Sequence, residues 1–164
     1  METEAKPAPH GLVQALFDKR KKAELNAEIT IKKISNIGHE LIISIVNKAS
    51  TPADKVSFII DLYNILSVES KDQYDEILDG VLGKKHCYTR STSQILPRFL
   101  DMPNYLKINH KFKPYVVLVA YYAKDLDFNG KYFLIDPINA SIISEHEWFN
   151  EETSLRELLN EINL

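Results

Sequence analysis

A single cysteine, Cys87, stands among the 164 residues of this chain. One thiol excludes an internal disulfide framework and any zinc site built from several cysteines. Glycine is scarce, five in all, and none belongs to a glycine-rich loop of the kind that cradles phosphate. Long apolar runs are missing too. The longest, 41–46 and 115–122, fall well short of the roughly 18 residues a membrane helix needs. The amino terminus, Met1 to Pro9, is polar and partly acidic, unlike a secretory signal or an Arg-rich transit peptide. These absences point to a cytoplasmic protein that does not engage a membrane, with export by a specialised system left open. The net charge of -3 argues against nucleic-acid binding. The five histidines, His10, His39, His86, His110 and His146, are scattered. They form no paired metal motif, and no cofactor signature accompanies them.

What is present is ordinary for a globular protein: 45% hydrophobic and 26% charged residues. Residues 1–9, with Pro7 and Pro9, read as a disordered leader. Residues 10–164 have the length of one domain. Charge is unevenly spread. Between Lys84 and Lys113 lie Lys84, Lys85, Arg90, Arg98, Lys107, Lys111 and Lys113 against Asp101 alone, and the last third is acidic. A basic middle suits an anionic substrate or partner, favours a thiolate at Cys87, or is simply a solvated surface.

Periodicity predicts helices through the first half, about residues 10–82. Leu12, Val13, Leu16 and Phe17 mark a short one, followed by the cations 19–22. Ile31, Ile34, Leu41, Ile42, Ile45 and Val46 predict a second over 23–48, with Gly38 as a break or close contact and His39 as a packing residue. Thr51, Pro52 and Asp54 resemble a capped helix start ahead of Val56, Ile59, Ile60, Tyr63 and Leu66. Another helix, with Tyr74, Ile77, Leu78, Val81 and Leu82, ends at Gly83. Cys87 then opens a helix over 88–101 that Pro97 kinks or ends. Residues 102–113 read as a loop with room for a short extended stretch.

The second half predicts a small antiparallel meander. Tyr115 to Tyr122 is rich in strand formers. Asp127 to Gly130 supplies a turn, Lys131 to Ile135 returns, and Ala140 to Ser144 adds a third strand. A closing helix from Glu147 or Asn150 carries Leu155, Leu158, Leu159 and Ile162 on its inner side. The expected fold class is therefore α+β: N-terminal helices, a cysteine-bearing helix on a three-stranded meander, and a closing helix.

Nucleophilic cysteine chemistry needs a thiolate, a histidine to move its proton, and a group that orients the histidine. Cys87 at a helix start, near cations, has the setting that favours thiolate. His110 is the candidate base and Asp136 the candidate orienting carboxylate. His86 is a cation able to tune the thiol, and Gln94 a candidate oxyanion donor. Each has a plainer reading. Cys87 is then a buried small hydrophobe, His110 a loop residue, and Asp136 a turn residue before Pro137.

The order cysteine, helix, strand, then Phe133-Leu134-Ile135-Asp136-Pro137 resembles the core of the transglutaminase-like and papain-like superfamily. The similarity covers roughly residues 83–145, within a papain-like core of about 83–164. It implies acyl chemistry on an amide of a protein substrate: proteolysis, deamidation or transfer, as in bacterial effector or toxin domains. The family places its histidine at the head of the strand, where this chain has Pro114 or Tyr115. The alternative expectation is a non-catalytic interaction module or pseudoenzyme, an adaptor or immunity-type protein, with a protein partner.

Overall fold

The computed structural model describes residues 22–79, 83–98, 104–147 and 156–160. It is built from strands: β1 Leu25–Lys33, β2 Gly38–Asn47, β3 Ala53–Tyr63, β4 Ile65–Ser70, β5 Asp75–Asp79, β6 Gly83–Ile95, β7 Asn104–His110, β8 Tyr115–Tyr122, β9 Asn129–Asp136 and β10 Ser141–Glu147. One short helix, α1, spans 156–160. The strands form two antiparallel sheets. One has four strands in the order β1-β2-β7-β4, and the other six in the order β10-β9-β8-β3-β6-β5.

The α+β expectation is therefore wrong: the described residues are nearly all β, in two antiparallel sheets. Where helices are expected over 23–48, 51–66 and 74–82, the chain forms β1 to β5. The helix expected over 88–101 is β6, so Cys87 lies in a strand and not at a helix terminus. Gly83 starts that strand and caps nothing. The expected loop at 102–113 contains β7. The reason is visible in burial. In β2, Leu41, Ile43 and Ile45 are buried while Ile42, Ser44 and Val46 between them are only partly covered. That alternation is the period of a strand. Apolar residues on both faces imitate helical spacing, but Ile and Val are stiff at χ1 and pack better on a pleated surface.

The meander agrees more closely. β8 runs over the expected Tyr115 to Tyr122, β9 contains 131–135, and β10 covers most of the third expected strand. Asn129 and Gly130, read as turn residues, already belong to β9. A Cβ on Gly130 would sit 2.6 Å from the Val119 carbonyl oxygen, so glycine is needed there for close strand approach, not for a left-handed turn. The expected leader, the first amphipathic helix and the ends of the closing helix lie outside the described residues.

The two sheets face each other over one core. Phe58, Ile60 and Leu62 of β3 and Val117, Val119 and Tyr121 of β8 meet Leu41, Ile43, Ile45, Leu106 and Ile108 from the other sheet. Each fully buried aliphatic side chain contributes about 2 kcal/mol. The Tyr121 hydroxyl crosses the layer to donate to the Leu25 carbonyl at 3.0 Å. Between β3 and β4 the chain steps from one sheet to the other at Asn64. Asn64 takes a left-handed φ of 64° and donates through Nδ2 to the Pro114 carbonyl at 2.9 Å. Asparagine suits that corner because its short amide tolerates the conformation and bonds locally.

The outer side of the six-stranded sheet carries a second apolar cluster: Tyr63, Val116, Leu118, Tyr132 and Leu134, covered by Leu159 of α1. The turns 34–37, 111–114 and 137–140 gather at one end of the sandwich, where β1, β7 and β9 finish; the second of them crosses between the sheets.

Candidate functional site

Cys87 lies in register with Asp61 on β3 and Asp75 on β5. Alternation puts it on the outer face of the six-stranded sheet, the face that carries Tyr63 and Leu118. Asp61 is only 4% exposed. Its Oδ2 accepts from Lys85 Nζ at 3.1 Å, and the Cys87 thiol donates to the same carboxylate. Asp61 Oδ1 has no partner among the described residues. Burial pushes the thiol up to about 12; the hydrogen bond to Asp61, that residue's charge and Asp75 push the same way, and Lys85 pulls back. A carboxylate beside a thiol opposes thiolate formation, which is the reverse of what a nucleophile requires.

The expected supporting residues lie elsewhere. His86 follows in sequence but points to the opposite face of β6, where it is buried and 3.8 Å from Glu76. Burial holds its imidazole below the usual histidine range, Lys84 and Lys111 add to that, and Glu76 opposes them. Gln94 is exposed and donates to Asp54 at 2.8 Å. Seven residues along the strand from Cys87, it lies about 23 Å away.

His110 closes β7 in the four-stranded sheet and points into the layer between the sheets, in line with Leu106 and Ile108. The β3–β6 sheet therefore separates it from Cys87. Its company is another histidine. The rings of His39 and His110 lie 4.9 Å apart, and both residues are fully buried. The hydrogen bonds set their tautomers. His39 Nε2 donates to the Pro137 carbonyl at 3.0 Å, so its Nδ1 accepts from the Tyr115 hydroxyl at 2.7 Å. His110 Nδ1 accepts from the Phe112 N–H at 2.9 Å, which leaves the proton on Nε2. The Asn36 carbonyl favours the charged form of His110, but no described group completes a hydrogen bond to Nε2.

Burial is the chief cause that holds both imidazoles below the usual range. Lys33 lowers both, and each His39 proton also feels His110; the Pro137 carbonyl and Asp136 resist on His39. Burial likewise raises the Tyr115 hydroxyl. Asp136 ends β9 at the same end of the sandwich. The Ile138 N–H at 2.8 Å is the main cause that lowers its carboxyl, helped by the Asn139 side chain and N–H. The structure thus brings His110 and Asp136 to one end, linked through His39 and Pro137, and leaves Cys87 on the far side of a sheet. Tyr115 and His39 are members that sequence reasoning missed. Tyr115 reads only as the strand-head residue standing where the resembled family has its histidine, and His39 as a packing residue; only the pairing of distant strands reveals their hydrogen bond.

Among the described residues no cluster of three or more His, Cys, Asp or Glu side chains is placed to hold a metal ion. No helix there is long and apolar enough to cross a membrane. No known protein-family model and no curated protein matches this chain.

Proposed function

We propose that this chain is a non-catalytic protein-interaction module on a β-sandwich scaffold, of adaptor or immunity type. The observation that carries the reading is the setting of Cys87. Its thiol donates to a buried carboxylate, is pushed up to about 12, and has a sheet between it and His110. Acyl chemistry through that thiol draws no support from such an arrangement.

A candidate binding surface supports the reading. The outer face of the β1-β2-β7-β4 sheet has no described element packed on it, whereas α1 covers the other sheet. Across it Lys32, Glu40, Lys107 and Glu69 stand in register, one per strand, with alternating sign. The adjoining row places Thr30, Ile42 and the exposed Tyr105 side by side. Tyrosine flanked by charges of both signs suits a specific protein contact, since the ring supplies area and the charges supply register. A cytoplasmic setting belongs to the same proposal, because it keeps Cys87 reduced.

The test is alkylation of the native chain across pH. Iodoacetamide should react slowly at neutral pH, rise only in strongly alkaline buffer, and respond little to His110→Asn. A midpoint well below 8 that moves upward in the histidine variant would restore the nucleophile reading. In parallel, partners captured with the parent chain should also be captured with Cys87→Ala and lost with Tyr105→Glu.

A further inference from the structure

The end of the sandwich above the two histidines has an unusual surface. Three turns meet there. The His110 N–H donates to the Ile37 carbonyl at 2.9 Å, the Phe112 ring stands edge-on to His110 at 5.1 Å, and the Pro137 carbonyl is bonded to His39. Each turn presents an apolar side chain to solvent: Ile34 is 43% exposed, Ile37 37%, Phe112 60% and Ile138 60%. Turns normally carry polar residues, so four large apolar tips on one end form a patch that calls for a partner.

Charge surrounds the patch. Lys33, Lys111 and Lys113 are all exposed. The carboxylate within the three turns, Asp136, is already occupied: Oδ1 accepts from Ile138 N and Asn139 N, and Oδ2 from Asn139 Nδ2. Three lysines against that one carboxylate leave the three turns net cationic on a chain whose net charge is -3. Phe112 adds a conformational signal. It holds a φ of 61°, which is costly for a bulky side chain and persists only where the surroundings impose it. The bond from its N–H to His110 Nδ1 supplies that restraint.

We infer that this end docks peripherally on an anionic bilayer, with Phe112, Ile138, Ile34 and Ile37 entering the interface and Lys33, Lys111 and Lys113 facing the headgroups. Apolar insertion and attraction to anionic lipid are the two ingredients of interfacial binding, and neither suffices alone. A bilayer suits this surface better than a folded protein does. The apolar residues sit on the tips of separate turns, so a protein would need a matched pocket for each, whereas a bilayer interface accommodates all of them at once. The inference goes beyond the protein-interaction reading and involves a different part of the molecule, so it can fail while that reading stands.

Cosedimentation of the full chain with vesicles tests it. The chain should pellet with phosphatidylcholine vesicles containing phosphatidylserine, not with phosphatidylcholine alone, and salt should release it. Lys111→Glu should weaken binding about fivefold or more, the scale set by one cation at an anionic surface. Phe112→Gly is the decisive variant. Glycine is at ease at positive φ, so the melting temperature should hold or rise, while vesicle binding should fall about tenfold or more for the lost side chain. No binding to phosphatidylserine vesicles overturns the inference and leaves this end to a polypeptide partner. Equal binding to neutral vesicles, or a Phe112→Gly chain that binds like the parent, overturns it too.

Discussion

Cys87, Asp61 and Lys85 form a compact electrostatic cluster on the outer face of the six-stranded sheet. Asp61 is buried with Lys85 Nζ 3.1 Å from its Oδ2, and Lys85 is itself largely covered. Removing one partner of such a pair strands the other. Lys85→Met should therefore cost about 3 kcal/mol, read from urea unfolding, and the loss should shrink when Asp61→Asn is added. Backbone geometry gives two further expectations. Ala140 holds a φ of 50° in the β9–β10 turn, so Ala140→Gly should stabilise the chain by about 1 kcal/mol. Gly130→Ala should do the opposite, by about 1–3 kcal/mol, because its Cβ would press on the backbone of β8. Thermal melts of the two variants should shift in opposite directions.

At the level of elements, β2, β7 and β9 are tied at their ends by His39 and His110. The bonds require neutral imidazoles: a proton on His110 Nδ1 would face the Phe112 N–H and break that contact. His39, His86 and His110 all sit below the ordinary value of 6.5. Above about pH 6.5 the folded and unfolded chains both carry neutral rings, and these groups do not affect stability. Below it the unfolded chain takes up protons first, so stability falls with pH and levels off only beneath the folded-state values. The urea midpoint should drop between about pH 7 and pH 5. His110→Asn, which keeps an acceptor for Phe112, should make that drop shallower.

For the molecule as a whole, the two sheets meet their surroundings differently. One outer face is covered by α1 and the other carries alternating charges. The strand β10 borders the six-stranded sheet with Ile142 and Ile143 exposed, and its pairing with β9 is irregular between Ile142 and Ser144. An apolar edge invites pairing with another chain, and a local bulge is one way to discourage it. Ile143→Lys should change stability by less than about 0.5 kcal/mol and lower light scattering in concentrated solution.

Local chemistry in this chain was legible where it depended on neighbours alone. The run of β-branched and aromatic residues from Tyr115 to Tyr122 favours a strand, and it forms β8. Leu158 and Leu159 fall on the packed side of α1 as their spacing requires. The lone thiol excludes disulfides whatever the fold. Elsewhere the residue pattern left two answers open. Strands such as β2 and β3 have apolar residues on both faces, which satisfies a helical period nearly as well as a strand period. Only pairing with β7, β6 and β8, all distant in sequence, resolves that ambiguity. The same long-range pairing placed Asp61 beside Cys87 and His39 beside His110. A thiol's proton affinity follows the charges that surround it in space, and those came from strands the linear order keeps far apart.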